Sequence, residues 1–251
     1  MILREAPRRA PYLWGALARG ALLAFALVAG GGAAAQEITA ARYTDPTTRY
    51  AHGVLGDAIE HAGLEVSLSN GASAKAFWPD KIVFEDTEPR LADVDGDGAP
   101  EVIVVESHER LGARLSVYGL AEGELKLIAA NDFIGRSNRW LAVVGAADLD
   151  GDGAVEIAYV DRPHLAKTLL IWRYSPGSLA LVGSLPGVTN HRIGERDIAG
   201  GIRDCGAGPE MLVADASWQR VLAVRFDGSG FQQNDLGTHK GRSTFAQAMG
   251  C

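Results

Sequence analysis

Three short runs of apolar residues recur at a nearly constant spacing in the second half of the chain. They are VIVV at residues 102–105, IAYV at 157–160 and MLVA at 211–214, so that successive runs lie 55 and 54 residues apart. Each run is followed by two segments in which apolar and polar residues partly alternate around a glycine-containing turn. Short apolar runs and a period of two both predict β-strands, and no helical periodicity accompanies them. The pattern therefore predicts three or four strands in each repeat.

The repeats divide most of the chain into units of similar length. Three units cover residues 91–145, 146–200 and 201–251. A fourth, degenerate unit is expected at about 50–90, where alternating apolar residues precede an Asn70-Gly71 hairpin turn. Sheets of about 50 residues that recur along a chain are typical of β-propeller blades. We therefore predict an all-β fold, a small β-propeller of about four blades across residues 36–251, with a two-sheet β-sandwich as the alternative.

The first 35 residues have the pattern of a secretory signal peptide. Four arginines, at 4, 8, 9 and 19, precede an apolar run at 20–29, and Ala33 to Ala35 supply small residues for cleavage. The apolar run is short for a membrane span, although a single membrane anchor is the alternative interpretation. We expect cleavage after Ala35, a periplasmic or secreted location and no stable membrane insertion of the mature chain.

Cleavage at that point makes the chain more acidic. It removes four arginines and Glu5, which leaves 20 basic and 30 acidic residues and changes the net charge from −7 to −10. Such a chain is repelled by nucleic acids and anionic membranes and attracts divalent cations. Its two cysteines, Cys205 and Cys251, are expected to form a disulfide in an oxidising compartment. Two free thiols in a cytosolic protein are the alternative.

Acidic residues precede the first two apolar runs in a matched pattern. The sequences DVDGDGAPE at 93–101 and DLDGDGAVE at 148–156 place carboxylates at positions 1, 3, 5 and 9, and position 7 can offer a carbonyl oxygen. Six or so oxygen ligands suit Ca²⁺, and glycine at position 6 allows the sharp turn that brings the later ligands round. The predicted ligands of two Ca²⁺ sites are Asp93, Asp95, Asp97, Ala99 and Glu101, and Asp148, Asp150, Asp152, Ala154 and Glu156.

The acidic loops have two other possible interpretations. An EF-hand requires glutamate at position 12 and flanking helices, whereas position 12 is Val104 or Tyr159 within an apolar run, which excludes that motif. Asp-Gly sequences also form ordinary surface turns without metal. The third repeat keeps only Asp204 and Glu210 in its loop, so a metal site is not expected there.

The two acidic loops, each followed by an apolar strand, resemble the FG-GAP or VCBS-type repeats of integrin-α-like propellers. In that family the loop joins two strands of a blade and its carboxylates hold Ca²⁺. The resemblance covers two units well and a third poorly. It implies the ligands named above and no others.

Catalytic motifs are not evident in the sequence. There is no G-x-S-x-G, H-E-x-x-H, Walker or Rossmann pattern, and His164 and His191 lie in isolated polar clusters. Two arginine-containing segments, 136–140 and 190–196, precede the second and third units and could converge near a propeller axis. We expect a monomeric, non-enzymatic scaffold or binding module for an unidentified protein or glycan. A polysaccharide hydrolase or lyase that uses one propeller face is the alternative.

Overall fold

The computed structural model describes residues 36–251, which form seventeen β-strands and one short helix. The predicted signal peptide at 1–35 lies outside the described residues. The all-β fold class is confirmed, with all strand pairs antiparallel in three sheets. The elements are β1 (Ile38–Thr47), β2 (Glu60–Leu68), β3 (Ser73–Phe77), β4 (Ile82–Phe84), β5 (Arg90–Ala92), β6 (Glu101–His108), β7 (Gly112–Ala121), β8 (Glu124–Ala130), β9 (Leu141–Ala147), β10 (Glu156–Asp161), β11 (Thr168–Ser175), β12 (Ser178–Pro186), β13 (Val188–Thr189), β14 (Gly201–Asp204), β15 (Pro209–Asp215), β16 (Arg220–Phe226), β17 (Phe231–Thr238) and α1 (Arg242–Met249).

Each repeat forms a four-stranded antiparallel meander. The strands are β5–β8 in the first repeat, β9–β12 in the second and β14–β17 in the third, where β13 also pairs with β15. The apolar run of each repeat lies in the second strand, which is β6, β10 or β15. The acidic or degenerate loop joins the first strand to the second.

The N-terminal strands do not form a sheet of their own. β6 is eight residues long and β5 only three, so β5 covers one part of the β6 edge and β4 pairs with another part, Val83 opposite Ser107. Through β4 the strands β1–β3 join the sheet of the first repeat. They also begin at Ile38, before the expected boundary near residue 50. The hairpin turn predicted at Asn70-Gly71 is present between β2 and β3.

The second strand of each repeat is buried on both faces, which explains its continuous apolar sequence. In β10, Ile157 and Tyr159 join a core with the first repeat, whereas Ala158 and Val160 join a core with the third. In β6, Ile103 faces the second repeat and Val102 packs with the N-terminal strands. Consecutive repeats therefore pack face to face, with a hydrophobic core between each pair.

Helix α1 covers the outer face of the third sheet. Phe245 is buried there against Leu212, Ala214 and Val221. The helix was not predicted from sequence. Cys251, which follows the helix, is disulfide-bonded to Cys205 at the end of β14, so the expected bridge pins α1 to this sheet. Within residues 36–251 no helix has the length and apolarity that a membrane span requires.

Candidate metal centre

The two acidic sequences form equivalent loops at the same position in their sheets. Residues 93–100 connect β5 to β6, and residues 148–155 connect β9 to β10. Glu101 and Glu156 are the first residues of the strands that follow. The third repeat has only residues 205–208 between β14 and β15, and of the three loop aspartates it keeps only Asp204.

Side-chain-to-backbone hydrogen bonds wind both loops tightly. In the first loop, Asp93 accepts from the N–H groups of Gly96 and Gly98 at 2.7 and 3.0 Å. Asp148 accepts from Gly151 and Gly153 at the same distances in the second. The four glycines have φ between 78° and 93°, a left-handed region that disfavours residues with a Cβ atom. The alternating Asp-Gly sequence is therefore what allows this loop geometry.

The winding brings three carboxylates together in each loop. One oxygen each from Asp93, Asp95 and Glu101 lie within 4.8 Å of one another, and Asp148, Asp150 and Glu156 form the equivalent group. The third aspartate of each loop, Asp97 or Asp152, lies outside these groups. Asp97 and Asp152 instead accept hydrogen bonds from the backbone N–H groups of the alanines at the predicted carbonyl position, Ala99 and Ala154, at 2.8 and 2.9 Å.

The glutamate of each group is buried at the base of its loop. Glu101 accepts from the Val94 N–H, and Glu156 accepts from the Leu149 N–H, both at 2.9 Å. Burial raises the pKa of Glu101 to about 7, and the neighbouring aspartates contribute to the rise. Burial also raises the pKa of Glu156, although Arg173 opposes that rise. Each group thus places ionisable oxygens where a cation would stabilise their negative charge.

The donor chemistry fits a hard divalent cation. All the converging ligand atoms are carboxylate oxygens, which suit Ca²⁺ or Mg²⁺ better than zinc or copper. Among the described residues, no lysine or arginine forms an ion pair with the first loop's acids, Asp93, Asp95, Asp97 and Glu101.

The second loop differs because an arginine enters it. Arg173, on β11, lies opposite Glu156 in the β10–β11 register and contacts Asp150, Asp152 and Glu156 at 2.8, 3.0 and 2.6 Å. Sequence reasoning missed this residue. The signal that could have identified it is its place in the predicted β10–β11 hairpin, where it lies directly opposite the position-9 acid, Glu156.

A second polar cluster lies where the loops that follow the second and fourth strands meet. Segments 136–140 and 190–196 meet here, since the Trp140 and His191 rings are 4.9 Å apart, while their convergence near a propeller axis stays a prediction. His164 and His191 share a hydrogen bond of 3.0 Å between Nε2 and Nδ1, and the Nε2 atom of His191 bonds the Glu195 carbonyl. These contacts are mutual and local, so the two histidines are largely occupied by one another and the backbone.

Comparison with known proteins gives one result for this part of the chain. The family model of the FG-GAP-like repeat matches residues 90–159. The matched stretch begins at β5 and ends within β10, so it contains both acidic loops and both carboxylate groups. No curated protein matches the chain.

Proposed function

The chain is an FG-GAP-like repeat protein over residues 90–159, and from this premise we propose that it is a calcium-binding β-propeller-like module. The observation that carries the proposal is the convergence of Asp93, Asp95 and Glu101 within 4.8 Å with no positive partner among the described residues. Two unit charges 4 Å apart repel by ~1 kcal/mol in water and by several times that near a protein surface. A bound Ca²⁺ would replace this repulsion by attraction and hold the first two strands of the sheet together.

The arrangement of the sheets supports a propeller-like architecture. Each repeat is a four-stranded meander, and each packs its faces on the neighbouring repeats. The acidic loops occupy the same position in successive sheets, as expected when blades share one orientation. We propose three blades, β5–β8, β9–β12 and β14–β17, with the N-terminal strands completing the first sheet and α1 covering the last.

We propose that the protein is exported and acts as a non-enzymatic scaffold for a protein or glycan. The Cys205–Cys251 disulfide supports an oxidising compartment, as does the signal-like sequence at 1–35. A cleft of about 310 Å³ between the first and second repeats contains Asp161 and Arg162 beside Tyr159 and Trp172. Both Asp161 oxygens accept hydrogen bonds from Arg162. That pairing favours a structural or binding role for Asp161 over general acid catalysis.

Calcium-dependent unfolding tests the proposed metal function. The melting temperature should be higher in saturating Ca²⁺ than in chelator, because a ligand that binds only the folded state stabilises by ~2.7 kcal/mol at 100 times its Kd. Asp95→Ala should remove most of this difference. Glu122→Gln, which removes an exposed turn carboxylate outside both groups, is the matched control. Identical melts of the wild-type protein in calcium and in chelator would contradict the proposal.

Location and partner need separate experiments. If the chain is exported, the mature protein isolated from the periplasm or the medium should begin at Gln36, whereas an intact residue 1 would contradict processing. A glycan array and a pull-down, each with and without Ca²⁺, would distinguish glycan from protein partners. Hydrolysis or β-elimination of a polysaccharide by the purified protein would favour the enzymatic alternative.

A further inference from the structure

The equivalent acidic groups of the first two repeats differ in one positively charged side chain, Arg173, which is present only in the second. In the second repeat the Arg173 guanidinium contacts all three acids that face it, with Nε donating to Glu156 at 2.7 Å and Nη2 donating to Asp150 at 2.8 Å. The Nη1 atom is 3.0 Å from Asp152. An arginine stays positively charged at every relevant pH, so it partly neutralises this loop without a metal.

The first repeat has glycine where the second has Arg173. Tyr118 pairs with Val102, so continuing the register by one residue places Gly119 opposite Glu101. A Cβ atom built on Gly119 would lie 3.6 Å from Cγ of Glu101, which shows that this position faces the glutamate. At this position the second repeat therefore places a guanidinium against its acids, whereas the first repeat has no side chain there.

The third repeat extends the series. Its position-9 acid, Glu210, is bound by Arg203 at 2.5 Å and by Arg225 at 3.2 Å, and its loop keeps only Asp204 of the three aspartates. Across the three repeats, the number of arginines on the buried glutamate rises from none to one to two. In the third repeat only one loop aspartate remains, and the two guanidinium groups neutralise the glutamate in place of a metal ion.

We infer that Arg173 is an internal competitor for the second calcium site, so that the two sites are unequal. The first loop is the primary Ca²⁺ site, and the second loop binds Ca²⁺ only when the guanidinium leaves it. Arg173 is 29% exposed, so its side chain can swing into solvent without unpacking the core. This inference rests on the proposed calcium function and assigns Arg173 as the residue that sets the affinity of the second site.

Calorimetric titration with CaCl₂ tests the inference on the mature chain, with Arg173→Ala as the central variant. The wild-type protein should show one site at least tenfold tighter than the other. Arg173→Ala should strengthen the weaker site at least tenfold and leave the tighter one unchanged. The matched control is Arg225→Ala, which removes an arginine from the third repeat, and it should alter neither affinity. Asp95→Ala should remove the tighter site, and Asp150→Ala the weaker one.

Melting in chelator supplies a readout that does not depend on binding. Without calcium, Arg173→Ala should melt below the wild-type protein because its second loop has lost the guanidinium that partly neutralised it, and saturating Ca²⁺ should close this gap. Arg173→Gln, which keeps most of the side-chain volume, repeats the titration should the alanine variant fail to fold. An unchanged or weakened second site in either variant would overturn the inference. Absence of any calcium binding by the wild-type protein and by both Arg173 variants would instead overturn the proposed function.

Discussion

The Nδ1 atom of His52 lies 2.6 Å from Oε1 of Glu85, a carboxylate with no solvent exposure. Ser107 donates to the other carboxylate oxygen, and the indole of Trp140 donates to the Glu85 carbonyl at 2.7 Å. His52 lies in the β1–β2 loop, so this network ties that loop to the start of the second repeat. A buried carboxylate that loses such a partner typically destabilises a protein by several kcal/mol.

His52→Ala should therefore lower the free energy of unfolding by about 2–4 kcal/mol at pH 8. The loss should be smaller at pH 5, because burial raises the pKa of Glu85 and a proton then removes its unpaired charge. Urea denaturation at both pH values measures this. The double variant His52→Ala, Glu85→Gln should recover much of the loss at pH 8. An equal loss at the two pH values would show that packing, not charge, is what His52 contributes.

The repeat architecture was predictable because each second strand is buried on both faces. Successive residues of such a strand, for example Val102 and Ile103, face opposite cores, so consecutive positions must be apolar. The resulting apolar run and its spacing are visible in the sequence. The acidic loops were equally visible, since Asx turns and left-handed glycines both need specific residues. The disulfide was predicted from the pair of cysteines together with the oxidising compartment that the signal-like sequence implies.

Other features depend on tertiary contacts that leave little trace in the sequence. Only one residue of β1, Ile38, is fully buried, and the strand is held mainly by its pairing with β2. Its apolar and polar residues therefore do not alternate clearly. Helix α1 is eight residues long and buries one side chain, Phe245, which is too few for helical periodicity to show. Arg173 became part of the candidate site only through the hairpin register.

Glu60 should make the protein less stable as pH rises. Burial, with smaller contributions from Glu85 and Asp57, raises its pKa to about 9, so the folded state holds a proton that the unfolded chain releases above pH ~4.5. Glu60→Gln mimics the protonated form and should raise the free energy of unfolding by about 1–3 kcal/mol at pH 8, with little change at pH 5. Glu37→Gln, at an exposed position, is the control. A pH-independent effect of Glu60→Gln would contradict the assignment.

His164 has the opposite linkage. Burial, with the nearby His191 and His52, lowers its pKa to about 4, so unfolding takes up a proton between pH ~6.5 and 4 and stability falls as pH falls through that window. His164→Gln keeps a donor for Nδ1 of His191 but cannot titrate. Its free energy of unfolding should decline less than that of the wild type between pH 7 and 4.5, by about 1–2 kcal/mol. A decline in His164→Gln parallel to that of the wild type would refute the prediction.

The C-terminal helix α1 should stay docked on the third sheet through two attachments, the disulfide bridge and the buried Phe245 side chain. The Cys205–Cys251 bridge closes a loop of 46 residues, for which the chain-entropy model gives about 4 kcal/mol of stabilisation. Cys251→Ser should lower the melting temperature accordingly, and reducing agent should do the same to the wild type and nothing further to the variant.

Phe245→Ala should lower the free energy of unfolding by about 3 kcal/mol, because it opens a cavity over Leu212 and Val221. Hydrogen exchange should then show loss of protection in α1, and in the backbone of β15 and β16 that α1 covers, in both variants. Calcium affinity should be unchanged in both, since α1 packs on the third sheet and both acidic loops belong to the first two repeats; a reduced affinity would mean that the last sheet and the metal loops are coupled.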